Sequence, residues 1–535
     1  MSTVDCGCSA LVRHYLSAAK CHRIIKIRPK HVDFFSVQPV SVALGEQRRI
    51  ASVSRLFVPS VADLFLIFFI FWAFLASPQG WQGLLRDADT GFHIRAGEWI
   101  INAGNVPIHD PFSFARPDAH WYAFEWISQV LFAVLNGWAG LKGVVLFSGA
   151  LLAVTFTIVL RHAMWRGAGA IFTIFLALLA ASAASLHFHA RPHIFTMLLL
   201  AIALWILDRD RRTPSGLVWI LPLLTVLWAN LHGGFAMFVA LAGLLVLGSV
   251  LEGGKSRAGR YGLLFLLCAA ASAVNPYGVR LPLHVFEVVR SKWMLSFVDE
   301  FRAPDFRSES HLAFMVLLFA SLAVLIPLVK KGRITEALWI LFLAYCSLTA
   351  VRHVPLFAIV SVPIIAAEWT ALLSEFRAGR SALDSFATAT GSFAHTSIWP
   401  VCFICALALA PGIAWPANFD QREFPVGIGD GAPQRVLAER IYTTDQWANY
   451  LIFKNPKTRV FIDSQHQIYG EAVLSEALGM MSGRHDWREL LDRYQIETVL
   501  CPRDAALASL LVRDAGWTQV AATPQASLFS RNALP

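Results

Sequence analysis

"LLRDADTGFHIRAGEWIINAGNVPIHDPFSF", Leu84–Phe114, begins a few residues after the first long apolar run of the chain. It gathers Asp87, Asp89, His93 and Arg95 just beyond a segment that reads as a membrane span. In a helical register Asp89 and His93 are four apart and share a face, as do Arg95 and Trp99. Two carboxylates with an imidazole suit a divalent cation, or a general base beside one. The plainer reading is a helix N-terminus, with Asp87 or Asp89 as its cap. Asp110-Pro111 is good turn chemistry, and Asp110 is also a further candidate carboxylate.

The rest of the chain sets the frame. Of 535 residues, 56% are hydrophobic and only 15% charged, too apolar a balance for a soluble protein. Apolar runs of about 17–22 residues, enough for a hydrocarbon core of ~30 Å, recur from position 62 to 416. The runs are 62–78, 141–160, 168–187, 193–208, 215–230, 233–251, 261–275, 311–328, 334–351, 354–372 and 397–416. The stretch 123–138 carries Glu125, Gln129 and Asn136 and reads better as an interfacial helix than as a further span.

Charge placement fits this reading. With the N-terminus inside, "RHAMWRG" (161–167), "DRDRRTPSG" (208–216), "EGGKSRAGR" (252–260), "VKKGR" (329–333) and "SEFRAGR" (374–380) are cytoplasmic, and all carry Arg. Residues 1–61 form a basic tail, nine Lys/Arg against three acids, that reads as a disordered cytoplasmic extension. The net charge of +9 therefore needs no nucleic acid to explain it. The eight cysteines form no disulfide framework, and Cys6-x-Cys8 does not have the usual zinc spacing. There is no P-loop and no GxGxxG motif after a strand.

Beyond Pro416 charges of both signs return. "RVFID" (459–463), "IETVLCP" (496–502), "TQVAAT" and "SLFSR" read as strands, and helical patterns lie between them. The expected architecture is an α-helical polytopic membrane protein of about eleven transmembrane helices. A membrane core, 62–416, with long outside loops 79–140 and 276–310, is followed by an extracytoplasmic α/β domain, 417–535.

The unusual polar residues collect on the outside face. Besides the opening cluster there are His187, His189, Arg191 and His193; Asn230 and His232; Asn275 and Arg280; and Arg352 and His353. Each residue alone reads as a helix cap or a snorkelling side chain, whereas five such clusters on one face read as a shared polar cavity. Arg191, Arg280 and Arg352 lie at the depth of a lipid phosphate, which Arg forks bind well.

"DADTGFHIRAGEWIINAGNVPIHDPFSF" resembles the first outside loop of GT-C superfamily glycosyltransferases, in particular of oligosaccharyltransferase catalytic subunits. A bacterial family of GT-C-like membrane proteins is similar over about 62–535. It has forms of "FEWIS", "ARPHIF", "WANLHGGF", "NPYGVRL", "RHVPLFAI" and "VFIDSQHQIYG". This chain differs from it at Gly91-Phe92, where two aromatics are usual, and at Gln465, His466 and Gln467. The Trp-Trp acceptor motif of oligosaccharyltransferases is absent, so glycosylation of Asn sequons is not implied. The resemblance implies a polyprenyl-phosphate-linked sugar donor, transfer outside a bacterial inner membrane, and a divalent metal (Mg or Mn) on Asp87, Asp89 and His93. On this reading Asp89 is the catalytic base or metal ligand, supported by Asp87 and His93, Asp110 is a second candidate catalytic carboxylate, and Arg191, Arg280 and Arg352 hold the donor phosphate. The rival expectation is a non-catalytic membrane protein, a lipid-linked glycan transporter or an assembly scaffold.

Overall fold

A computed structural model describes residues 56–374, 397–431, 437 and 440–532. Of the basic tail, 1–61, residues 1–55 lie outside the described residues, as does the loop 374–380 beyond Ser374. Those described belong to one compact unit, Arg55–Pro535.

The first helices are α1 (Val61–Ile70), α2 (Asp89–Ala103), α3 (Trp126–Trp165), α4 (Ala170–Ala184), α5 (His193–Arg212), α6 (Leu221–Leu231) and α7 (Phe235–Leu251). There follow α8 (Lys255–Ala271), α9 (Arg280–Arg290), α10 (Lys292–Phe297), α11 (Leu312–Lys330), α12 (Ile334–Thr349), α13 (Val354–Ser374) and α14 (Trp399–Leu409). Local chemistry sets their ends. Ser60 and Asp63 form a reciprocal capping box at α1. Gly104, at φ 68°, closes α2 in the left-handed region. Gly140, at φ 64°, breaks α3 into an arm, 126–139, and a longer segment. The polar stretch around 123–138 and the span 141–160 are thus two helices joined at one glycine.

Four helical segments among the described residues are long and apolar enough to cross a membrane: Trp126–Trp165, Ala170–His187, Glu309–Lys330 and Val351–Ser374. The other apolar stretches are helical but are either shorter or, like α5, end in a run of charges, so a count of eleven crossings does not follow from length and composition. Exteriors of the bundle are greasy: Leu223, Phe319 and Ile326 are each more than 60% exposed. Large apolar side chains exposed in this way on long apolar helices suit contact with lipid.

One end of the bundle is tied by ion pairs. Asp208 takes Arg166 (2.5 Å) and His162 (2.9 Å), and Glu336 takes Arg211 (2.9 Å) and Arg333 (2.9 Å). Glu368 takes Lys331 (2.7 Å) and Arg333. The arginines there are matched by buried acids on neighbouring helices.

The C-terminal region holds β1 (Ile441–Tyr442), β2 (Thr498–Pro502), β3 (Trp517–Ala522) and β4 (Ala526–Arg531), in the order β1-β2-β4-β3. β1 runs parallel to β2, and the other pairs are antiparallel. Its helices are α15 (Val426–Gly431), α16 (Asp445–Lys454), α17 (His466–Met481), α18 (Trp487–Arg493) and α19 (Ala506–Val512). The expected strand 459–463 is not a full strand. Val460 alone bridges Ile441 on one side and Ser113, from the first long loop, on the other. That loop therefore extends the sheet edge, with Phe114 and Ala115 amides donating to the Val460 and Phe461 carbonyls.

Candidate functional site

The opening stretch is fixed from two sides. The Ala190 amide donates to the Leu84 carbonyl (2.9 Å) and the Thr90 hydroxyl to the Ala190 carbonyl (3.0 Å), which lays the turn before α5 against the start of α2. From the C-terminal region, α16 lies on α2. The Ala88 amide donates to Gln446 (3.1 Å), Asn449 Nδ2 to Asp89 Oδ1 (2.5 Å) and Arg95 Nε to the Ile452 carbonyl (3.3 Å). Gly91 makes the approach close, because a Cβ there would stand 2.7 Å from Phe453 Cβ.

A cavity of about 320 Å³ opens where these elements meet the ends of α5, α7 and α13. Its polar lining includes Asp89, His93, Glu125, Arg191, Glu300 and Arg352. One flank is apolar, with Val285, Val288, Val289, Met294 and Leu356. Four of the five outside clusters read from sequence contribute to it.

Arg191 sits at the charged centre. Its Nη1 is 2.5 Å from Asp87 Oδ2 and 2.7 Å from Glu300 Oε1, and its Nη2 is 2.9 Å from Asp89 Oδ2. Burial pushes the Asp89 carboxyl upward against Arg191, while both of its oxygens accept, Oδ2 from Arg191 and Oδ1 from Asn449, as an ionised partner of the guanidinium does. Burial also acts to raise Asp87, but Arg191, His189 and the Asp89 amide outweigh it and hold that group below its ordinary value. Glu300 is held well below the carboxylate range, first by Arg191 and then against burial by Arg352.

On the cavity's other side Glu125 lies between two imidazoles, Oε2 3.8 Å from His93 Nδ1 and Oε1 3.7 Å from His232 Nε2. The Gly234 amide donates to His232 Nδ1 (3.0 Å), and the Thr196 hydroxyl is 2.8 Å from the same nitrogen. The neutral ring therefore carries its proton on Nε2, facing Glu125. Burial lifts Glu125 to about 7, while Arg191 and Arg352 pull the other way. Burial drops both His93 and His232 to about 3, so both are neutral near pH 7. A carboxyl lifted by burial, flanked by neutral imidazoles, is an arrangement that suits a proton acceptor.

Other expected residues are placed elsewhere. Arg280 is exposed at the first position of α9 and does not line the cavity. Asn275 closes its own turn, accepting from the Tyr277 amide (2.8 Å). Asn230 is spent on the Val226 and Val274 carbonyls and on Trp126 Nε1, each at 2.8 Å. Asp110 is buried away from the cavity, accepting from the Phe112 (2.9 Å) and Ser113 (3.2 Å) amides, as an Asx turn does.

Asp110 instead meets the C-terminal region. The Tyr469 hydroxyl is 3.5 Å from its Oδ2 and accepts from the Asp463 amide at 3.2 Å. Burial raises both carboxyls, and the charge of Asp110 lifts Asp463 further. A raised acid keeps its proton longer folded than unfolded, so stability falls as pH climbs from the unfolded value of about 3.9 toward the folded one. Asp463→Asn removes that penalty. Its melting temperature in detergent should match wild type near pH 4 and move increasingly above it toward pH 8. A gap that narrows with rising pH would show that the pair is not held protonated.

The divalent metal implied by the resemblance does not fit these residues. With the side chains as placed, no group of three His, Cys, Asp or Glu among the described residues is arranged to hold a metal ion. Asp87 and Asp89 close on Arg191, while His93 faces Gln129 Nε2 (3.4 Å) and Glu125.

Glu125 and Glu300 were not singled out from sequence as site residues. The one available signal was a carboxylate at the outside end of an amphipathic helix, in "FEWIS"; Glu300 carried none.

No protein-family model and no curated protein matches the chain. Solved structures do. It is similar to the archaeal oligosaccharyltransferase AglB of Archaeoglobus fulgidus in complex with an inhibitory peptide and a dolichol-phosphate, with 12% identity, 85% of this chain and 70% of that one covered, and a TM-score of 0.57. The apo form of the Archaeoglobus fulgidus oligosaccharyltransferase aligns at 11% identity over 84% and 69%, with a TM-score of 0.54. The fold is GT-C-like.

Proposed function

We propose that the chain is a GT-C-type glycosyltransferase taking a sugar from a polyprenyl-phosphate carrier at the extracytoplasmic face of a bacterial inner membrane. The observation that carries this reading is the amphiphilic cavity. Acids and Arg352 stand on one side and an apolar flank on the other, in a fold whose solved relative holds dolichol-phosphate. Its volume is within the range of small-ligand pockets, about 300–1,000 Å³.

Roles follow from which groups are free to act. Of the two arginines in the cavity, Arg191 is closed on three carboxylates, whereas Arg352 meets Glu300 at 4.0 Å and lies over Phe301. Arg352 takes the donor phosphate. Glu125 receives the acceptor proton, and Asp89, Asp87 and His93 shape the charge around it. The C-terminal region closes the cavity through Ser464–Gln467.

Native mass spectrometry of the detergent-purified protein with added undecaprenyl phosphate tests the reading. Wild type and Arg280→Ala should retain the lipid. Arg352→Ala should lose about tenfold in occupancy, as expected when a charged hydrogen bond is removed. No lipid on any variant would favour the scaffold. Loss confined to Arg280→Ala would move the anion site to the start of α9.

A further inference from the structure

Three carboxylates from two distant parts of the chain converge on one guanidinium, Asp87 at the start of α2 and Glu300 in the turn after α10 on Nη1 of Arg191, and Asp89 of α2 on its Nη2. Several hard oxygens gathered in one place are what a divalent cation takes. That place is filled from within. We propose that Arg191 is a built-in cation standing where Asp87, Asp89 and Glu300 would otherwise hold a divalent metal, so that the site binds none.

Geometry supports the substitution. The guanidinium reaches all three carboxylates at 2.5–2.9 Å, the lengths of charge-assisted hydrogen bonds. A metal on the same oxygens would need them within roughly 2.0–2.6 Å, pressed against the guanidinium with like charge. Arg191 is also anchored where it enters. Ala190 before it is held by Leu84 through its amide and by Thr90 through its carbonyl, which fixes the backbone from which the side chain reaches the centre. Unlike a histidine or lysine, the guanidinium does not give up its proton near neutral pH. The charge at this centre is therefore independent of metal supply and of chelators. It also leaves Arg352 as the cavity arginine available to a phosphate.

The inference goes beyond the transferase reading and does not need it, because its test reads metal occupancy alone. Mn²⁺ is titrated into full-length protein in detergent, and bound ion is followed by electron paramagnetic resonance. Wild type should show no stoichiometric site, whereas Arg191→Ala should gain one bound Mn²⁺ per chain, as exposed carboxylates allow. Adding Asp89→Asn or Glu300→Gln to that variant should abolish the gain. Arg191→Gln, which retains a hydrogen-bonding amide, gives the same readout if the alanine variant does not fold. One Mn²⁺ on wild type that Asp89→Asn or Glu300→Gln removes would overturn the proposal. So would a folded Arg191 variant that gains no metal.

Discussion

Glu125→Gln is expected to cut sugar transfer by about 10²-fold or more at unchanged protein level, the usual size of a lost general base. The exchange keeps the shape of the side chain and its place between His93 and His232, and removes only the capacity to take a proton. The pH profile distinguishes this from mere disturbance. A carboxyl lifted to about 7 is protonated, and idle as a base, below that value. The wild-type rate should therefore rise with pH through about 7, and the residual rate of Glu125→Gln should lack that limb. Asp89→Asn provides the comparison. Asp89 is already engaged by Arg191 and Asn449, so its loss should disturb the centre without removing the limb near 7. Full activity in Glu125→Gln, with transfer lost in Asp89→Asn, would return the proton to Asp89.

What the sequence reveals of this site depends on how far apart its parts lie. Asp87, Asp89 and His93 share one short stretch, and helical spacing alone marks them as a cluster. Arg191 could be recognised as an unusual charge near a membrane surface. Its pairing with Asp87 spans 104 positions and leaves no periodic trace. Glu300 sits in a loop with no hydrophobic pattern to give it a face. Arg280 shows the converse: a basic residue in a similar sequence setting is exposed and does not line the cavity, and no local pattern tells it from Arg191.

The fold divides in the same way. Apolar runs located the helices, since burial in a bundle or in lipid selects the same residues. They did not fix how many cross, because α5 through α8 are short or carry charges in their last or first turns. In the C-terminal region β2 and β4 are legible as short, largely apolar segments, while β1 is two residues long. Val460 belongs to a ladder completed by the distant Ser113, which no local pattern can announce.

Gly97→Ala should be the most damaging single change outside the cavity. Gly97 is buried in α2 where that helix crosses the first turns of α3. An added Cβ would fall 1.9 Å from the Gln129 carbonyl oxygen and 2.3 Å from its carbon. Those atoms are backbone, so no rotamer change relieves the clash and the helices must part by roughly 1.5 Å to reach van der Waals contact. Overpacking costs 1–3 kcal/mol in ordinary cores, and a rigid obstacle puts this case at about 3 kcal/mol or above. The function suffers by the same movement: α2 carries Asp89 and His93, α3 begins beside Glu125, and Gln129 itself contacts His93. A fall of several degrees in melting temperature, with loss of transfer in whatever folds, is the expected result. Gly137→Ala lies on the same helical arm with nothing within 4 Å of its new Cβ, and should be neutral or slightly stabilising by helix propensity. If both alanines were equally tolerated, the close crossing of α2 and α3 would not be what holds Asp89 and Glu125 across the cavity from each other.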